Sequence, residues 1–195
     1  MKKTRKIRCA PCNSKECKKE GKDCYDKAEE HLQLYKDEKI LKILKASASI
    51  EARHYCSETR LSETILFAQE MGVKKLGLAF CVGLSTEAKA IEKIFKKHFE
   101  VVSVCCKVSG INKRELNLDQ IKPDAQERMC NPAGQADLLN QENTDLNVLC
   151  GLCVGHDAIF NMKSNAPVTT LITKDRVLAH NPLGAIYCQY ISRKF

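Results

Sequence analysis

Four cysteines fall within sixteen residues near the N-terminus, Cys9, Cys12, Cys17 and Cys24, in the pattern C-x2-C-x4-C-x6-C. Residues 1–25 hold almost nothing apolar besides Ile7, so this segment has no hydrophobic core to fold around. A bound ion must order it. Cys9 and Cys12 can bite one ion from a tight turn stiffened by Pro11, and Cys17 and Cys24 then complete a tetrahedron. Zinc and an iron–sulfur cluster both suit four thiolates, and spacing does not separate them. The pattern is similar to a retroviral-type zinc knuckle but departs from it. The third ligand is Cys17 rather than a histidine, the last gap is longer, and no aromatic residue follows Cys9 to stack on a base.

The chain has twelve cysteines in 195 residues, so the compartment decides how they are read. The basic start MKKTRKIRCAPC is followed by no apolar stretch of the kind a secretory signal has. No run approaches the roughly 18 apolar residues of a membrane helix. These features predict a cytoplasmic protein with no membrane partner, where thiols stay reduced and clustered cysteines hold metal or do redox chemistry. Cys56 and Cys188, isolated in expected helices, read as small buried hydrophobes. Residues 1–50 carry 14 Lys/Arg against 8 Asp/Glu, whereas the rest carry 18 against 16. The excess positive charge thus sits beside the first cysteine cluster. It suits offsetting four thiolates around a divalent ion, which weighs against nucleic acid as a partner.

From Asp26 to Ala48 the apolar spacing is helical, and a second helix fits residues 58–71, capped by Ser57 and stopped by Gly72. The rhythm then becomes strand, turn, helix. Strands are expected at Leu76–Phe80, Val101–Val104, Leu146–Leu149 and Val168–Thr173, with a short fifth at Val177–Ala179. Helices fit from Ser85 or Thr86 to Phe99, from Asn131-Pro132, near 154–162, and from Asn181-Pro182; residues 107–131 read as irregular. The fold class expected is α/β, an open and mostly parallel sheet flanked by helices over residues 26–195, preceded by the four-cysteine knuckle over 1–25.

A second constellation is scattered in sequence and convergent in this topology. Cys81, the Cys105-Cys106 pair and the Cys150/Cys153 pair follow the first three strands, and Cys130 and His180 precede helices in matching Asn-Pro contexts. Ligands of open α/β sheets bind outside the carboxyl ends of the strands, where helix N-termini favour thiolates. Cys81, Cys106, Cys130 and Cys153 are the expected inner site. Cys106 is preferred to Cys105 as the one further into the loop, and Cys150 is the uncertain member because it can still lie on the strand. His156, Asp157 and His180 are candidates for outer ligands or acid/base groups. Cys150-Gly151-Leu152-Cys153 also looks like a thioredoxin active site, with Ala166-Pro167 resembling the facing cis-proline loop, but the 14 residues between them leave no room for that fold's intervening elements.

The segments LAFCVGL (78–84), VVSVCCKVSGI (101–111), CNPAGQADLLN (130–140), LCVGHDAIF (152–160) and APVTTLITKDRVLAHNPLGAIY (166–187) resemble a family of uncharacterised prokaryotic proteins labelled only as metal-binding, a domain-of-unknown-function family. The resemblance covers nearly the whole chain. It implies a metal role for Cys9, Cys12, Cys17 and Cys24, and marks Cys81, Cys106, Cys130, Cys153, His156, Asp157 and His180 as the inner site. The reading expected is a zinc or iron–sulfur protein whose inner site also holds an iron–sulfur cluster or other metal. That site would serve redox or [4Fe–4S]-dependent chemistry on a small thiol- or sulfur-containing molecule. The alternatives are metal storage, delivery or sensing without catalysis, or a nucleic-acid or partner-binding module using the basic knuckle.

Overall fold

Alternating helical and aliphatic segments resolve into two compact units, Met1–Ala52 and Arg53–Phe195. The computed structural model describes residues 6–195, so the first five residues of the expected 1–25 knuckle lie outside the described residues. In the first unit a single turn, α1 (Glu16–Lys19), is followed by α2 (Ala28–Leu34) and by α3 (Glu38–His54), whose last two residues belong to the second unit. Neither α1 nor α2 buries a residue, as the lack of apolar side chains requires. The expected continuous helical stretch from Asp26 is broken. The Asp37 carboxylate accepts the Ile40 N–H at 3.0 Å and starts α3 afresh, an exchange of helix for cap that apolar spacing does not reveal.

In the second unit α4 (Arg60–Glu70) is capped by Thr59 rather than Ser57, its hydroxyl accepting the Ser62 N–H. Gly72, at φ +71°, ends that turn as expected. Next come β1 (Lys75–Phe80), α5 (Ser85–Phe95) and β2 (Glu100–Cys105). The remainder comprises α6 (Pro132–Gln141), β3 (Leu146–Cys150), α7 (His156–Lys163), β4 (Val168–Ile172) and the single turns α8 (Gly184–Tyr187) and α9 (Gln189–Ser192). The expected fifth strand at Val177–Ala179 is a turn instead. The Asp175 carboxylate accepts the N–H groups of Val177 and Leu178, and the Asp175 carbonyl accepts that of His180, which reels the chain in.

The four strands are parallel in the order β2-β1-β3-β4. Side-chain alternation sorts them into two cores. Leu76, Leu78, Leu146, Val148 and Cys150 meet α4 and α5 residues such as Ala68, Ala88 and Phe95 on one face. Ala79 and Leu149 meet Ala136 and Leu139 of α6 and Phe160 of α7 on the other. Burial on both faces is why these strands read as aliphatic runs. From β1 the chain steps to β2 on one side, then returns past β1 to β3 and β4 on the other. The crevice of such a sheet opens where the connections diverge, at the carboxyl ends of β1 and β3. Among the described residues no helix is long and apolar enough to cross a membrane.

Candidate thiol site at the carboxyl edge of the sheet

Beyond Phe80 the chain leaves β1 at Cys81 and winds through a 3-10 turn, Val82–Leu84, into α5. Beyond β2, the Cys106 N–H donates to the Phe80 carbonyl at 2.8 Å, and the Val82 N–H donates to the Cys106 Sγ at 3.3 Å. These bonds hold a buried thiol against the turn that carries Cys81. Cys130 is pinned beside it, because the Asn131 N–H donates to the Cys106 carbonyl at 2.8 Å. Asn131 also caps α6 by accepting the Gly134 N–H at 2.8 Å, and a Cβ at Gly134 would lie 2.3 Å from its side chain. One turn into α6 the fully buried Gln135 donates from Nε2 to the carbonyls of Val104 (2.7 Å) and Phe80 (3.2 Å), tying the helix to the ends of two strands.

Beyond β3, Gly151 takes φ +69°, where any Cβ would strike Leu84 Cδ1 at 2.0 Å. This bend delivers Cys153, whose carbonyl accepts the His156 and Asp157 N–H groups at the start of α7. Arg176, beyond β4, donates from Nη2 to the Cys153 Sγ at 2.9 Å. Cys81, Cys130, Cys153 and His156 line one cavity of about 480 Å³. Cys106 lies against Cys130 and is 2% exposed.

The two central thiols are electrostatically unlike. The Cys106 hydrogen bond, assisted by the Lys107 ammonium and the nearby His156, draws Cys130 down to about 5. Lys107 Nζ donates to the Cys130 Sγ at 3.4 Å and to the Arg128 carbonyl at 2.7 Å. Cys106, which gives that hydrogen bond and is buried, is pushed upward and keeps its proton. The arrangement is a thiol–thiolate pair beside a cation.

Other predicted positions fall elsewhere. Cys150 is the last residue of β3, fully buried in the α4/α5 core, and burial pushes it up to about 11. It therefore does not face the cavity that Cys153 lines. All peptide bonds among the described residues are trans, Pro167 included, so neither part of the thioredoxin likeness survives. Asp157 turns its carboxylate to the Ala158 N–H. His180 lines a separate hollow with Arg60 and Glu87, and its Nδ1 accepts the Asp175 N–H at 3.1 Å. Cys56 is exposed just beyond α3 at φ +57°, not a buried filler, and Cys188 is half-buried between α8 and α9.

In the first unit the Cys12 N–H donates to the Cys9 carbonyl at 3.0 Å, which makes the expected tight turn. The Ser14 hydroxyl and the Lys15 and Ser14 N–H groups hold the Cys12 thiol below its usual value. Tyr25, next to Cys24, brings its hydroxyl to 3.3 Å from the Cys9 Sγ. Among the described residues no three Cys, His, Asp or Glu side chains are grouped so that they could hold a metal ion. In the inner cavity Cys106 and Cys130 engage each other, and Val82, Lys107 and Arg176 donate to the sulfurs of Cys106, Cys130 and Cys153.

Sequence reasoning missed these cations. The signal was present for both: Lys107 directly follows Cys106, and Arg176 follows β4 at the edge where the cysteines follow the other strands.

Fold and cavity together define a parallel α/β protein with a thiol-lined crevice at the switch point of its sheet. The chain belongs to the family described as a protein of unknown function, DUF1847, whose model matches residues 17–171. It is 51% identical over 189 residues to the uncharacterized protein MJ0455 of Methanocaldococcus jannaschii, covering 96% of this chain and 97% of that one. No solved structure matches it.

Proposed function

We propose that this chain is a thiolate metal protein with two centres. Cys81, Cys106, Cys130 and Cys153 would hold an iron–sulfur cluster or other soft metal in the cavity. Cys9, Cys12, Cys17 and Cys24 would hold zinc or a cluster in the first unit. The observation that carries this reading is the meeting of four thiols from three connections at one crevice, Cys81 beyond β1, Cys106 and Cys130 between β2 and α6, and Cys153 beyond β3, with Lys107 and Arg176 already donating to two of the sulfurs. The donor set fits: thiolates select soft metals, and N–H···S and ammonium donors offset the charge that such a centre accumulates. A cluster with one iron left open would supply Lewis-acid chemistry toward a small molecule. The chain's own part is to exclude water with the α6/α7 core, to balance charge through Lys107 and Arg176, and to place His156 on the cavity wall, where it can give or take a proton.

Anaerobic reconstitution of the full chain, with iron, sulfide and zinc counted, tests this assignment. Wild-type protein should load two centres, and Cys153→Ser should lose the inner one while keeping the other. Cys188→Ser should keep both. Equal loading of all three proteins would refute the inner assignment.

A further inference from the structure

Four cations line the thiol cavity, Lys107, Lys113, Lys174 and Arg176, against two carboxylates, Asp119 and Glu127. Lys113 is neutralised by Glu127 at 2.8 Å. Lys107 is spent on the Arg128 carbonyl and the Cys130 sulfur, and Arg176 has one nitrogen on the Cys153 sulfur. Lys174 stands apart. It is half-buried, yet its Nζ makes no hydrogen bond and no carboxylate pair among the described residues. An ammonium drawn part-way out of water without an anion carries a desolvation cost that a bound anion would offset.

The space in front of Lys174 is kept open by a glycine. A Cβ built on Gly83 would lie 3.3 Å from Lys174 Nζ and 3.9 Å from Cys81 Sγ, so any side chain there would intrude between the cation and the thiol. The backbone φ at Gly83 is not in the left-handed region, so conformation alone does not call for glycine. The bare backbone there leaves room for a ligand to come close.

We propose that the cavity takes a small molecule bearing a carboxylate or phosphate group. Lys174 and the free face of the Arg176 guanidinium hold the anion over Gly83, and the remainder of the molecule reaches Cys81 and Cys130. This deepens the reading of the cavity as a thiolate metal centre and rests on it for what happens at the sulfurs. The anion seat itself is built by cations and open backbone alone. A cleft lined by one sign of charge concentrates small ions of the other sign.

Paired alkylation of the reduced, metal-free full chain tests it. Iodoacetate and iodoacetamide both react with the same thiolate, so the ratio of their rates at Cys130 cancels the degree of ionisation and reports local charge. That ratio should exceed the ratio at exposed Cys56 by about tenfold, the low end of focusing in a charged cleft. Lys174→Gln should cut it at least threefold, with Arg176→Gln as an independent second variant. Raising salt from about 20 mM to about 500 mM should collapse it toward the Cys56 value. At constant ionic strength, inorganic phosphate and acetate serve as competitors. Protection by phosphate alone assigns a phosphate ligand, and protection by acetate assigns a carboxylate. A Cys130 ratio equal to that of Cys56, or one indifferent to salt and to both variants, overturns the proposal. The protein is metal-free throughout, so absent iron and sulfide loading with the anion preference intact would sink only the metal reading. The converse result would sink only this one.

Discussion

Cys130 should react as a thiolate in mildly acidic solution, where an ordinary thiol is silent. Its value lies at about 5 against a usual 9.0, with the Cys106 hydrogen bond as the largest cause and Lys107 and His156 adding to it. At pH 7 the advantage nearly vanishes. About a hundredfold more thiolate is offset by an intrinsic nucleophilicity about 40- to 100-fold lower, for a Brønsted slope of about 0.4–0.5. At pH 5.5 the balance tips. Cys130 is then about three-quarters ionised and an ordinary thiol about 0.03%, which leaves a net rate advantage of roughly 20- to 60-fold. The assay is iodoacetamide alkylation of reduced, metal-free protein between pH 4 and 9, read by peptide mass spectrometry. Cys106 should stay unmodified across the acidic range, since burial and the bond it donates push its proton loss upward. The sign of the variants follows from the causes. Cys106→Ala removes the principal donor to the Cys130 thiolate, so the profile moves to higher pH and the rate at pH 5.5 falls about tenfold or more. Lys107→Gln moves it the same way by less. A Cys130 profile centred near pH 8–9 and unmoved by Cys106→Ala would refute the thiol–thiolate pair.

Gly77→Ala should be severely destabilising. Its Cβ would lie 2.0 Å from Asn147 Oδ1 and 2.9 Å from Leu139 Cδ1, overfilling the sheet and dislodging a fully buried asparagine bonded to Thr144 and Ser164. A loss of about 3–5 kcal/mol is expected in denaturant unfolding; a change below about 1 kcal/mol would mean that the site relaxes freely. Cys12→Ser, or a chelator on the wild type, should raise hydrogen exchange and protease cleavage in residues 6–25 while sparing the sheet, because no buried residue in α1 or α2 supports that segment. Unchanged protection in both cases would show that no ion orders it.

The strands were the most legible part of the chain. Runs such as Leu76–Phe80 and Leu146–Leu149 are aliphatic because both faces of the sheet are covered, and no other element of that length needs such a run. What sequence hid was local hydrogen bonding that overrides pattern. Apolar spacing continues through Tyr35, yet Asp37 begins a new helix there. Val177–Ala179 has strand-like residues, yet the Asp175 carboxylate turns the chain before they can pair. The gathering of Cys81, Cys106, Cys130, Cys153 and His156 at one edge was legible from topology, since the connections of a parallel sheet carry them there. His180 misled because Asn-Pro sets a local helix start and says nothing of which hollow the preceding residue lines. The cations Lys107, Lys174 and Arg176 went unremarked because charged residues in loops are commonplace, and only the cavity gives them meaning.

A metal centre on the cavity thiols would show most plainly in the visible spectrum of the full chain purified without exposure to oxygen. Thiolate-bound iron–sulfur absorbs broadly near 400 nm, and zinc does not absorb there. A band near 400 nm with matching iron and sulfide is expected, weakened by the inner centre's share in Cys81→Ser and Cys153→Ser and unchanged in Cys56→Ser. If the cavity holds a spectrally silent metal, the same variants should each lose one equivalent of it. Protein that carries no metal beyond the N-terminal equivalent, with Cys81→Ser and Cys153→Ser indistinguishable from wild type, would show that the cavity thiols hold no metal.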